Sequence, residues 1–208
     1  MKVVAINGSP KAKGNTYHAL KIVTDELERQ EISTEIIHVG NKNIRGCLAC
    51  GACARNKDEK CIINDEVNEI IQIMKEADGI IIGSPVYYAS IAGTMKSFLD
   101  RAFYTASKSG GLFRHKVGAS VAVARRSGEV ATFDHLNHYF TISEMFLASS
   151  NYWNVIHGAG PAEVLQDEEG VQIMRVLGKN MAFLLNAVAQ NSDKLPEKEP
   201  KIMTSFIR

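Results

Sequence analysis

Cys47-Leu-Ala-Cys50-Gly-Ala-Cys53, followed by Cys61, makes a C-x2-C-x2-C-x7-C array that contains all four cysteines of the chain. A spacing of two residues lets one compact loop direct three thiolates at adjacent corners of a cubane, with Gly46 and Gly51 easing its turns. Ferredoxin-type [4Fe–4S] sites open with the same C-x2-C-x2-C run. Structural zinc more often uses paired C-x2-C knuckles set farther apart, so zinc fits this spacing less well. Reduced thiols without a metal are the remaining alternative.

A second stretch suits an anion. Asn7-Gly8-Ser9-Pro10-Lys11-Ala12-Lys13-Gly14-Asn15-Thr16 follows an apolar run and precedes a helical pattern. Gly8 and Gly14 permit close backbone approach, Ser9, Asn15 and Thr16 offer hydrogen-bonding side chains, and Lys11 adds charge. The free N–H groups and positive dipole end of the following helix complete a cradle for one terminal phosphate. It is not a P-loop: the glycines are one residue too far apart, and Asn15 stands where that motif requires lysine. Nor is it a Gly-x-Gly-x-x-Gly turn, and Gly158-Ala-Gly160-Pro-Ala-Glu163 lacks the third glycine of that fingerprint.

These two stretches need a scaffold, and the rest of the chain supplies an alternation of strands and helices. Val3-Val4-Ala5-Ile6 reads as a strand buried on both faces. Leu20, Val23 and Leu27 share one face of a helix from about Thr16 to Arg29, and Thr34 to Val39 is a second strand. Asn64 is the expected cap of a helix whose apolar face is Val67, Ile70, Ile71, Met74 and Ala77. A strand at Gly79–Gly83, a helix carrying Met95, Phe98, Leu99 and Ala102, and a strand at Val117–Ala124 follow. A helix over Glu129–Glu144, a fifth strand between Phe146 and Ile156, and a helix from Asp167 to Gln190 complete the series. Strict alternation predicts an α/β, flavodoxin-like three-layer sandwich, with a five-stranded parallel sheet of order 2-1-3-4-5 and helices on both faces. The expected organisation is one domain over residues 1–190, with a cysteine-rich insertion at 44–63, and a C-terminal tail at 191–208. In that tail, Ile202, Met203, Phe206 and Ile207 follow an extended Pro196–Pro200 segment, which reads either as a frayed end or as an arm docking on a partner subunit.

Bulk composition narrows the function. The chain has 208 residues, 45% hydrophobic and 23% charged, with net charge +1, which gives no footprint for nucleic acid. No apolar run approaches the ~20 residues of a membrane span. A strand beginning at Lys2 leaves no room for a signal peptide, so a cytoplasmic location with reduced thiols is expected and disulfides are disfavoured.

Four stretches together resemble the NAD(P)H-dependent FMN reductase family of flavodoxin-like proteins. They are Gly8-Ser9-Pro10-Lys11 with Gly14-Asn15-Thr16, Gly83-Ser84-Pro85-Val86-Tyr87-Tyr88, Gly93-Thr94-Met95-Lys96 through Leu99-Asp100-Arg101, and Ala124-Arg125-Arg126-Ser127-Gly128. The resemblance implies that FMN sits with its phosphate on the first loop and its rings along Pro85–Tyr88. It also implies that the loop holding Arg125, Ser127 and Gly128 approaches the pyrimidine side of the flavin. The N–H groups of Val86 and Tyr87 are expected at the ring edge, and Tyr87 and Tyr88 offer flat surfaces at low entropic cost. The cysteine array in turn is similar to that of the iron–sulfur flavoproteins, a branch of the same family, which implies a [4Fe–4S] cluster on Cys47, Cys50, Cys53 and Cys61.

The expected function is therefore electron transfer from NAD(P)H through FMN to a small-molecule acceptor such as a quinone or flavin, with the cluster splitting electron pairs into single steps. The alternative is a non-enzymatic carrier that exchanges electrons with a ferredoxin-like protein. Flavin reduction by a nicotinamide demands stacking rather than a general acid or base, so no catalytic side chain is named. The resemblance implies a homodimer or homotetramer.

Overall fold

The computed structural model describes residues 1–207. A parallel sheet forms its middle layer. Strands β1 (Lys2–Asn7), β2 (Ser33–His38), β3 (Gly79–Tyr87), β4 (Ser90–Ile91), β5 (Val117–Ala124), β6 (Phe146–Leu147) and β7 (Val155–His157) alternate with helices α1 (Asn15–Glu28), α2 (Ala52–Asn56), α3 (Glu66–Glu76), α4 (Gly93–Lys108), α5 (Glu129–Ile142) and α6 (Glu168–Gln190). The parallel order is β2-β1-β3-β5, with β6 and β7 together filling the fifth place, so the expected 2-1-3-4-5 topology holds.

Alternation along β1 sets the two cores. Val4 and Ile6 face a cluster with Ile80, Ile82, Phe98, Leu99 and Phe140, beneath α3, α4 and α5. Val3 and Ala5 face the other, with Leu20, Leu27, Ile81, Leu177 and Met181, beneath α1 and α6. Both faces of the strand are dry, which is why its sequence is apolar without a period of two.

Three details differ from the sequence reading. The fifth strand is broken: β6 pairs with the start of β5, β7 pairs with its end, and residues 148–154 leave the sheet between them. Ser150 explains the break, because its hydroxyl donates to Tyr152 O at 2.6 Å and accepts from Tyr152 N, closing a tight polar turn. The third strand runs past Gly83 to Tyr87 and folds back as an antiparallel hairpin with β4. Asp65, not Asn64, caps α3, its carboxylate accepting from Val67 N. Asp167 caps α6 in the same way through Gly170 N. Among the described residues no helix is long and apolar enough to cross a membrane.

Candidate functional site

The β1–α1 loop is folded by its own side chains. Asn7 Oδ1 accepts from Ser9 N at 3.0 Å, Asn7 Nδ2 donates to Ala12 O at 3.1 Å, and Ser9 Oγ accepts from Lys11 N at 3.2 Å. That leaves the Ser9 hydroxyl proton free to donate. α1 starts at a Gly14 cap with no side-chain capping bond and no acid in its first turn, whereas Asp65 and Asp167 cap α3 and α6, whose first turns are acidic. The uncapped N–H groups of α1 lie beside buried Ser9 and Thr16, an arrangement able to receive an anion. Lys11 stays at the exposed rim. Asn15 Nδ2 donates to Gly160 O at 2.9 Å, tying the loop after β7 to this turn, and its Oδ1 is buried without a partner among the described residues.

Close approach shapes the neighbouring wall. A Cβ on Gly40 would lie 2.1 Å from Ser9 O, so the chain leaving β2 passes the cradle only because residue 40 is glycine. His38 Nε2 meets the same carbonyl at 2.7 Å. Neither contact was foreseen from the sequence, since both depend on the β1–β2 register.

Pro85, Val86 and Tyr87 lie on the extension of β3 rather than in a loop, as the sequence had implied, and the hairpin tip is Tyr88-Ala89. Both tip residues are left-handed, φ 51° and 56°, where non-glycine residues are strained. Ser84 steadies the return, its buried hydroxyl accepting from Ala92 N at 3.0 Å just before α4. Tyr87 is half exposed and Tyr88 projects wholly into solvent. The loop after β5 reaches this hairpin through Gly128, at φ +92°, whose missing Cβ would fall 2.9 Å from Ala89 Cα. Pro85–Tyr88 and Ser127–Gly128 are thus brought together at the carboxyl edge of the sheet, while Arg125 and Arg126 are both exposed.

Cys47, Cys50, Cys53 and Cys61 line one cavity, closed by Arg101, Tyr104 and Thr105 of α4. Cys53 lies in the first turn of the short α2, where burial pushes its thiol up against a hydrogen bond from Thr105 that favours the thiolate. Asn68 fixes the backbone of the last cysteine, accepting from Cys61 N at 2.8 Å and donating to Cys61 O at 3.0 Å. Among the described residues no three His, Cys, Asp or Glu side chains converge tightly enough to hold a single ion; the thiols line a space instead. The cavity is set apart from the phosphate cradle. Met95 packs on Gly8, and Arg101 to Thr105 lie six to ten residues farther along α4, roughly 9–15 Å at helical rise.

With this geometry, residues 1–160 match the family model described as NADPH-dependent FMN reductase. The chain belongs to that family. An iron–sulfur flavoprotein of Methanocaldococcus jannaschii is 34% identical over 90% of this chain and 99% of its own length. An iron–sulfur flavoprotein of Methanosarcina thermophila is 30% identical over 93% of this chain and all of its own length. Among solved structures, an archaeal flavodoxin superposes with a TM-score of 0.59 at 17% identity, covering 89% of this chain and 99% of that one. The family is one of flavin-dependent oxidoreductases and electron carriers, and FMN is the flavin its model names.

Measured against that family, Ser9, Thr16 and the uncapped start of α1 fit the FMN phosphate, and the two carboxyl-edge loops fit a planar ring system. The cysteine cavity offers the donor set of a polynuclear cluster, four thiols, and faces a fully buried guanidinium whose Nε has no partner among the described residues. The sequence reading used Arg101 only as part of a family motif. A cation on a helix face otherwise carrying Phe98, Ala102 and Thr105 was the signal that it does more.

Proposed function

We propose that the protein is an FMN-dependent oxidoreductase that takes electrons from NAD(P)H and delivers them to a small acceptor such as a quinone or flavin, with a [4Fe–4S] cluster held by Cys47, Cys50, Cys53 and Cys61. The observation that carries the cluster is the gathering of all four thiols around one cavity. The names of the two full-length relatives support it. When bound, FMN supplies two-electron and the cluster one-electron redox chemistry. The chain's own part is to bind and orient. Ser9, Thr16 and the α1 N-terminus hold the phosphate; Pro85 to Tyr88 present a rigid edge and two aromatic surfaces; Ser127 and Gly128 close the pyrimidine side, with Arg125 at the exposed rim. No side chain is needed to move a proton during hydride transfer.

A second reading, a carrier that exchanges electrons with a ferredoxin-like protein, is favoured by the rim of the cysteine cavity. Leu48, Ile62 and Tyr104 there are 48, 60 and 42% exposed, an apolar ring on which a small redox protein can sit. NAD(P)H oxidation under anaerobic conditions separates the two. Turnover of NADH or NADPH with a quinone or free flavin supports the reductase; reduction by ferredoxin with no nicotinamide turnover supports the carrier. The wholly exposed Tyr88 at the flavin edge is consistent with a site completed by a second subunit, so we extend the proposal to a homodimer or homotetramer.

A further inference from the structure

Arg101 is 1% exposed and one of the largest fully buried side chains in the molecule. A guanidinium has five N–H donors in a rigid fork and no acceptor. Four of them are engaged. Nη1 donates to Asp65 Oδ2 at 2.6 Å and to Arg45 O at 3.5 Å, and Nη2 donates to Asp65 Oδ1 at 2.7 Å and to Ile63 O at 3.3 Å. Those bonds are structural: Arg45 precedes the first cysteine, Ile63 follows the last, and Asp65 caps α3. The fifth donor, Nε–H, is buried with no acceptor among the described residues. A donor stripped of water and left unpaired is penalised, and native interiors seldom keep one without a partner. What lies beside it is the cavity walled by the four thiols. Cys61 lies just before Ile63 and Asp65, both held by the same guanidinium.

We infer that Arg101 is a positioning residue for the cluster, its Nε–H donating to the sulfur of Cys61 and thereby raising the cluster's reduction potential. The inference rests on the cluster reading above. Asp65 neutralises the net charge of the guanidinium, so its directed N–H reaches the sulfur as the dominant influence. A donor on a ligating sulfur withdraws electron density and favours the reduced state, one of the levers that set iron–sulfur potentials.

The test is an anaerobic EPR-monitored redox titration of the full-length protein with Arg101→Lys and Asp65→Asn. Arg101→Lys keeps the charge and loses the fixed Nε–H; its midpoint falls, with the reduction equilibrium shifted at least tenfold, about 59 mV for a one-electron couple. Asp65→Asn keeps Arg101 and a good helix cap while removing the counter-charge, so its midpoint rises. A purely structural role lowers cluster content in both variants without shifting the midpoints in opposite directions. Wild-type protein without any cluster signal overturns the cluster reading and this inference with it. A wild-type cluster whose midpoint is unmoved by Arg101→Lys overturns the inference alone. If Arg101→Lys does not fold, an Asp65→Asn midpoint at or below wild type has the same force.

Discussion

Ser9 is 6% exposed in the proposed phosphate cradle, with its oxygen already accepting from Lys11 N, so the proton it can donate is the part a phosphate would use. Ser9→Ala is expected to cost about 1.5–3 kcal/mol of FMN affinity, the range for a hydrogen bond to a charged group, and to leave riboflavin affinity nearly unchanged. Fluorescence titration of the apoprotein with the two flavins checks this; equal losses for both would place the hydroxyl away from the phosphate. Gly40→Ala is a harsher change, because the new Cβ would lie 2.1 Å from Ser9 O and the obstacle is backbone. It should destabilise the fold by about 1–3 kcal/mol and release FMN, read as a lower melting temperature and loss of flavin absorbance on gel filtration. At this scale the sequence was most informative where chemistry is local. The turn from Asn7 to Gly14 is written in contiguous residues. Asn15 was assigned to the phosphate, yet its amide bonds Gly160, and Arg101 was passed over as a motif letter. Both depend on partners far away in sequence, which no spacing rule reveals.

The β3–β4 hairpin is the element where strain and site coincide. Its two-residue tip, Tyr88-Ala89, holds both residues left-handed without a glycine. Ala89→Gly should therefore stabilise the protein by about 1 kcal/mol, worth roughly 2–4 °C in melting temperature for a chain of this size. Calorimetry decides it, and a lower melting temperature would mean that the methyl group matters for packing near Gly128. Continuous apolar runs made β1, β3 and β5 legible, and helical periodicity made α3, α4 and α6 legible. The hairpin was not, since Ser84 to Tyr88 reads as a loop until Ser90-Ile91 is seen to pair back on it. The break in the fifth strand was missed for the converse reason: one strand was expected somewhere between Phe146 and Ile156, although Ser149-Ser150-Asn151 favours a turn.

Large apolar side chains left in solvent bear on how the whole molecule assembles. Ile202, Met203, Phe206 and Ile207 are each more than three-quarters exposed. The segment before them is anchored, with Arg114 Nη2 donating to Pro196 O at 2.9 Å and Glu197 O at 3.0 Å and Lys198 Nζ donating to Gly110 O at 2.8 Å. An anchored base with an apolar end suits an arm for a second copy of the chain. Removing residues 201–208 is expected to leave the circular dichroism spectrum and melting temperature unchanged while shifting sedimentation toward a smaller species. Identical sedimentation of the full and shortened chains would make the segment a bystander.

The central claim is that one chain holds both a flavin and an iron–sulfur cluster, and anaerobically purified protein tests it in a visible absorption spectrum with iron and acid-labile sulfide assayed on the same sample. The account predicts flavin bands on a broad background that bleaches on reduction, iron and sulfide in equal amounts, and loss of the background alone when Cys50 is replaced by alanine. Flavin bands with no iron, unchanged by Cys50→Ala, would contradict it and leave a simple flavin reductase with four free thiols.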